Sequence, residues 1–209
     1  CKACKSECPT NVDVATYKAE YLAQGYREAG KIPLWAKVFG RVRTLNRLGS
    51  AFAPLSNLVA EFPPARALNN RLLGLSPERK LPGFAPSLFR RLRRAERRGE
   101  VVGGNAWRLN EGVDRGAPAV VVFGDCFTAY NEPGIGVSAA RLLNAFGYRV
   151  VAPDSGCCAR SHVSTGLLEE ATGVVRRTSE RLEAAVRAAG ATAVVVCEPS
   201  CLSAIKDEW

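Results

Sequence analysis

The residues best suited to chemistry open the chain: Cys1-Lys2-Ala3-Cys4-Lys5-Ser6-Glu7-Cys8-Pro9. Their spacing, C-x2-C-x3-C-P, is the last three-quarters of the run C-x2-C-x2-C-x3-C-P that holds [4Fe-4S] cubes. Thiolates are soft, strongly donating anions that suit iron, and short spacings let one tight loop wrap a cube of metal and sulfide. Pro9 fixes φ after the last cysteine and turns the chain out of the loop. The missing ligand of the run belongs three residues ahead of Cys1, so the chain reads as a fragment that starts in mid-motif. Where two such cubes are neighbours, the last cysteine of the run serves the other cube. On that pattern Cys1 and Cys4 belong to one cube and Cys8 to the next. Zinc is the alternative, but zinc sites pair two C-x2-C units and no second unit follows at that distance.

The other five cysteines, Cys126, Cys157, Cys158, Cys197 and Cys201, lie far along the chain, each at or just past an apolar run of strand type. In open α/β sheets the carboxyl ends of the strands are where ligands bind, so three loops deliver thiols to one edge of one sheet. A shared metal site, a second cluster, is the reading these positions favour. Adjacent cysteines such as Cys157 and Cys158 rarely bond to each other, but both can serve a multi-iron cluster. Cys197 is open to either reading, because a residue still in its strand can point into a helix-packed face. Other signals are weaker. Gly134-x-Gly136-x-x-Ala139 fits the dinucleotide fingerprint formally, yet ten residues and a proline separate it from the strand it should follow. His162 is the only histidine and reads as a surface residue. Glu132, Asp154 and Glu198 fall near the thiol-bearing loops without marking an acid–base pair. No catalytic residue is assigned.

Elements must position these thiols. Asp13 can cap a helix at roughly 14–29, with Val14, Tyr17 and Tyr21 on one face and Gly30 as its stop. The pattern stays helical in short pieces to about residue 75; Trp35, Val38, Phe39, Val42 and Leu45 form one apolar stripe. Residues 76–117 read as a basic linker: Pro77, Pro82 and Pro86 break it, and Arg90, Arg91, Arg93, Arg94, Arg97 and Arg98 crowd a helical turn. No aromatic interleaving accompanies that charge, so a docking surface for an acidic partner is favoured over nucleic acid. From residue 118 the grammar becomes β/α. Strands are expected at 119–123, 149–152 and 193–196. Helices are expected at 134–146, with Ala139, Leu142, Leu143 and Phe146 inward, at 166–189, with Val175, Leu182 and Val186 buried, and from near Leu202. Strands alternating with helices imply a parallel sheet with covered faces.

The bulk figures agree with an ordinary globular chain of 209 residues, 47% hydrophobic and 23% charged, with a net charge of +9. No apolar run approaches the ~18–20 residues that span a bilayer. Eight cysteines without secretory features point to a reducing compartment, where thiols serve metals.

Cys126-Phe127-Thr128-Ala129-Tyr130 running on to Gly136, the pair Cys157-Cys158, and Glu198-Pro199-Ser200-Cys201 together resemble the cysteine-rich CCG domain. That domain is shared by heterodisulfide reductase subunits and iron–sulfur subunits of hydroxyacid and glycerol-3-phosphate dehydrogenases. Two departures stand out. Ala159 replaces the usual glycine after the pair, and the final C-x3-C spacing puts Glu198 where the penultimate cysteine belongs. The front, from Cys1 through Asn11-Val12-Asp13-Val14-Ala15 to Glu20, is similar to large FAD-linked oxidases that join a flavin domain, a two-cluster ferredoxin segment and CCG domains. The resemblance implies an α/β architecture in three parts. Residues 1–75 would end a 4Fe-4S ferredoxin segment with a helical extension, 76–117 would link, and 118–209 would form a CCG domain cut short at its end. It further implies an FAD-bearing domain upstream, a second CCG domain downstream, and electrons passed from a 2-hydroxy acid (D-lactate, glycolate or D-2-hydroxyglutarate) to a quinone or carrier. This fragment would be inactive alone, in a cytoplasmic protein open to peripheral membrane association. Two alternatives stand beside this: a separate iron–sulfur subunit of a glycerol-3-phosphate dehydrogenase or heterodisulfide reductase-like complex, and a zinc-stabilised binding module using the arginines.

Overall fold

The computed structural model describes residues 8–10, 12–101 and 116–209. Among the described residues five helices come first: α1 (Val14–Ala29), α2 (Leu34–Gly40), α3 (Val42–Ala51), α4 (Ala53–Glu61) and α5 (Pro63–Leu73). Then follow α6 (Leu88–Arg97), β1 (Ala119–Phe123), α7 (Cys126–Tyr130), α8 (Pro133–Ala145), β2 (Arg149–Val151), α9 (Arg160–Ser164), α10 (Leu168–Ala189), β3 (Ala191–Val196) and α11 (Pro199–Asp207). The strands form a parallel sheet in the order β2-β1-β3. The architecture is therefore α/β, mostly helical, with one small parallel sheet in the C-terminal part.

The first helix has the expected ends. The Thr16 amide donates to Asp13 Oδ1 at 3.0 Å, and Gly30 closes the helix in the left-handed region at φ 61°. Its buried face is different from the expected one. Ala19 and Ala23 point inward, whereas Tyr17 and Tyr21 are exposed, Tyr21 by 79%. The cause is a close backbone approach. Gly166, at φ +76°, lies so near α1 that a Cβ there would stand 2.6 Å from Leu22 Cβ and 3.1 Å from the Ala23 amide. A side chain at position 166 would collide with the backbone of α1.

The stretch expected to be a linker contributes to the core. On α6, Leu88, Leu92 and Ala95 are buried and join Val101, Val120, Val122, Ala140 and Val150 in one cluster. Their spacing of four and three is the buried stripe of an amphipathic helix, and the crowd of arginines masks it. The arginines occupy the exposed side. Packing on α6 also rotates α8. A Cβ at Gly136 would come within 2.6 Å of Leu88 Cδ1, so α8 turns its small face, Gly136 and Ala140, toward α6. Leu142 and Phe146, expected inward, are exposed, Phe146 by 70%. Gly136 thus serves helix packing, which accounts for the glycine of the dinucleotide-like pattern. The long helix α10 buries Ala171, Thr178 and Leu182, with Val186 half-buried against the second core cluster. No helix among the described residues is long and apolar enough to cross a membrane.

Candidate metal centre

Three local structures bring thiols to the carboxyl edge of the sheet. After β1, Asp125 caps α7: its Oδ1 accepts from the amides of Phe127 (3.0 Å) and Thr128 (2.8 Å), which fixes Cys126 as the first helical residue. After β2, the chain passes Gly156 at φ +133° and reaches Cys157 and Cys158, then turns at Ala159. After β3, Glu198 caps α11 by accepting from the Ser200 amide at 3.2 Å, and Cys201 sits in the first turn with its amide on the Glu198 carbonyl at 3.0 Å.

Ala159 has φ 61°, and it is the one non-glycine residue with positive φ among those described. A left-handed turn there explains on backbone grounds why glycine would suit the position. The Trp209 indole anchors the same turn by donating to the Cys158 carbonyl at 3.1 Å.

The structure brings Cys126, Cys157, Cys158 and Cys201 together. Their sulfurs fall into two close pairs, Cys126–Cys157 at 3.6 Å and Cys158–Cys201 at 3.1 Å. All four line one cavity of about 440 Å³. Its other wall is apolar and comes from outside the sheet: Phe39, Val42 and Leu45 of the α2–α3 region and Leu81, Pro82 and Phe84 of the proline-rich stretch. That stretch is pinned in place. Asn57 bonds both polar groups of Phe84 (2.9 and 2.7 Å), Ser50 Oγ donates to the Ala85 carbonyl (2.6 Å), and the Ala85 amide donates to the Tyr130 carbonyl (2.7 Å).

Cys197 stands apart. Alternation along β3 carries it, with Val195, to the sheet face covered by α6 and α8, whereas Cys158 and Cys201 pack on the opposite face with Val121 and Phe123. Burial and the nearby Asp125 push its thiol up. Cys8 lies beside Thr10, with Sγ 3.2 Å from the hydroxyl. Cys1 and Cys4 lie outside the described residues.

The thiols are electrostatically divided. Hydrogen bonds from Cys126 and Cys158 hold Cys157 far below the ordinary thiol range, with His162 adding to the effect. Hydrogen bonding to Cys157, then burial, push Cys126 upward; bonding to Cys157 and Cys201, then burial, do the same to Cys158. The thiolate is the form that ligates metal, so loading these thiols must release protons.

Arg43 is a member of the site that the spacing of the sequence does not reveal. It reaches from α3 to donate to the Gly124 carbonyl at 2.8 Å, pairs with Asp154, and lies 5.4 Å from the centre of the Tyr130 ring. Burial works against its charge, but the neighbouring Cys126, Tyr130 and Asp154 hold the guanidinium protonated. Asp125 is the other missed residue. It is 1% exposed, and its Oδ2 is buried without a partner among the described residues. The signal for it was present, since an aspartate directly before a helix start is a capping pattern. His162 is corrected as well: it is buried in α9, not on the surface.

Among the described residues no three His, Cys, Asp or Glu side chains converge as a single-ion site requires. Two thiol pairs around a cavity much larger than one ion, all soft donors, fit a group with several metal atoms. The fold and the thiol set define a cysteine-rich α/β unit, and residues 120–206 match the family of CCG cysteine-rich domains. The chain is similar, more distantly, to the C subunit of anaerobic glycerol-3-phosphate dehydrogenase from two strains of Escherichia coli. Identity is 25% over 173 residues, covering 82% of this chain and 40% of theirs. The chain spans about two fifths of the length of these curated relatives. No solved structure matches it significantly.

Proposed function

We propose that this chain is the iron–sulfur electron-transfer part of an oxidoreductase, with one cluster seated among Cys126, Cys157, Cys158 and Cys201. The observation that carries this reading is the convergence of four thiols from three strand-end loops on one cavity. When bound, such a cluster supplies one-electron redox chemistry. The chain's own residues do the rest. The caps at Asp125 and Glu198 set the first turns that carry Cys126 and Cys201, and the Ala159 turn presents the adjacent pair. Phe39, Val42 and Phe84 keep one wall dry, and Arg43 places a fixed positive charge beside Cys126. Cys1, Cys4 and Cys8 would ligate [4Fe-4S] cubes, and Cys197 would serve only packing. The parts at 1–75, 76–117 and 118–209 would then be a ferredoxin-type segment, a connecting segment that completes the core, and the CCG unit.

Two settings suit such a part. Similarity across 82% of the chain to the C subunit of anaerobic glycerol-3-phosphate dehydrogenase supports a separate iron–sulfur subunit working beside a dehydrogenase partner. The run from Cys1 to Glu20 supports the other setting, one polypeptide with an FAD domain that oxidises a 2-hydroxy acid and delivers electrons to a quinone or carrier. Anaerobic reconstitution of the chain with ferrous iron and sulfide tests the shared core of both. Visible absorbance and an EPR signal on reduction are expected, and both should persist in Cys8→Ser. A signal that survives replacing Cys126, Cys157, Cys158 and Cys201 together by serine would remove the proposed site.

A further inference from the structure

A second cavity, of about 510 Å³, lies on the other side of Cys157, which lines both. Its walls are two helices facing each other. From α3 come Arg43, Thr44 and Arg47, and from α10 come Val174, Arg177, Thr178 and Arg181, a single face by their spacing of three and four. Arg41 completes the set of five arginines in the lining, against one carboxylate, Asp154. Two of the five are already neutralised: Arg43 pairs with Asp154 and Arg41 with Glu170. Arg47, Arg177 and Arg181 have no carboxylate partner among the described residues. His162 also lines the cavity; it is 5% exposed, with its Nδ1 buried and without a partner among the described residues.

Three guanidinium groups without carboxylate partners around one concavity give it a positive potential that attracts anions. Surface arginines repel one another and gain little from water that they would not gain apart. Balancing a thiolate is one use of such charge, but among these arginines it is the half-buried Arg43 that adjoins Cys126. The other three stand exposed around the cavity, where a solute can reach them. We propose that this cavity binds a small polyanion carrying phosphate or carboxylate groups. Guanidinium forks match both groups bidentately, and the volume suits a metabolite-sized molecule. The lining includes no Phe, Tyr or Trp, so it offers no stacking platform for a nucleobase.

Calorimetric titration of the full chain with inorganic phosphate, and separately with succinate, at ionic strength matched with chloride, tests the site and distinguishes the two sources of the anion. Saturable binding of at least one anion is expected. It should weaken by about tenfold or more in the double variant Arg177→Gln/Arg181→Gln, since each charged hydrogen bond lost is worth about a factor of ten. Arg47→Gln on the facing helix should weaken it similarly. Arg93→Gln/Arg97→Gln on the exposed side of α6 removes the same charge as the double variant and should leave binding unchanged. Equal weakening in the α6 and α10 double variants would overturn the proposal, because net charge alone would then explain it. So would the absence of binding by either anion beyond chloride, or binding of a single-stranded oligonucleotide only. These readouts do not depend on iron, so a failure here leaves the cluster reading intact.

Discussion

The two faces of the small sheet carry similar apolar residues but differ in what covers them. On one face Val120, Val122 and Val150 pack beneath α6 and α8, with Cys197 at the margin of an ordinary core. On the other, Val121 and Phe123 pack with Leu182, and the cluster continues into Cys158 and Cys201. A cysteine that follows the pleat of a strand is assigned to a face by alternation, as Cys197 is. A cysteine set by a capped turn is freed from the pleat and can be aimed over the strand end. Strand-end loops therefore make the site, and the strands only decide which cysteines are left out of it.

The largest effect expected from this contrast is all-or-none. Cys158→Ser and Cys201→Ser should each abolish the visible absorbance of the iron-reconstituted chain, whereas Cys197→Ser should keep it. Loss of absorbance in Cys197→Ser would erase the difference between the faces.

The next effect concerns stability on the face without the site. Leu88→Ala should cost about 2–5 kcal/mol in urea denaturation, as for other buried leucines. Leu55→Ala, at an exposed position of α4, should stay within about 0.5 kcal/mol. Similar small values for both would mean that α6 is a linker helix after all.

That pair of residues also shows what could be read in the sequence. The parallel β/α pattern, the helix from residue 14 and the gathering of Cys126, Cys157, Cys158 and Cys201 were all legible, because periodicity, caps and strand ends are local signals. Leu88 and Leu92 were hidden by the arginines around them, although their spacing is helical. The exposure of Tyr17, Tyr21, Leu142 and Phe146 was not legible. Each of those helices carries more than one apolar stripe, and the choice between stripes is made by a glycine that permits close approach, Gly166 far along the chain for α1 and Gly136 within α8 itself. Arg43 and Phe84 reach the site through tertiary contacts that no spacing encodes.

Glycines in α8 give a finer test of the same packing. Gly136→Ala forces a methyl against Leu88 and should destabilise by about 1–3 kcal/mol through overpacking. Gly134→Ala, where an added Cβ meets nothing within 4 Å, should instead stabilise by a few tenths to about 1 kcal/mol. Ala159→Gly, on the face with the site, should also stabilise, by at most about 1 kcal/mol, because relief of the left-handed strain is partly offset by a freer unfolded chain. Destabilisation by that change would show that the buried methyl matters more than the backbone.

The smallest effect belongs to the tie between the helical segment and α10. Arg41 grips Glu170 with two hydrogen bonds, Nε to Oε2 at 2.9 Å and Nη2 to Oε1 at 2.7 Å. The hydrogen bond from Arg41 and its charge hold the Glu170 carboxyl below its ordinary range. A carboxylate whose folded pKa is depressed adds stability above its unfolded pKa, about 4.3, and loses it as the pH falls through the folded value. Both side chains are well exposed, so solvent screening keeps the contribution to about 0.2–1 kcal/mol. Glu170→Gln should therefore be slightly less stable than the parent chain at pH 7, and the gap should close toward pH 3. Raised salt at pH 7 should narrow it too, since exposed pairs are screened within about 10 Å at 0.1 M. A gap that widens on acidification would mean that the carboxylate is not the partner that fastens this corner of the molecule.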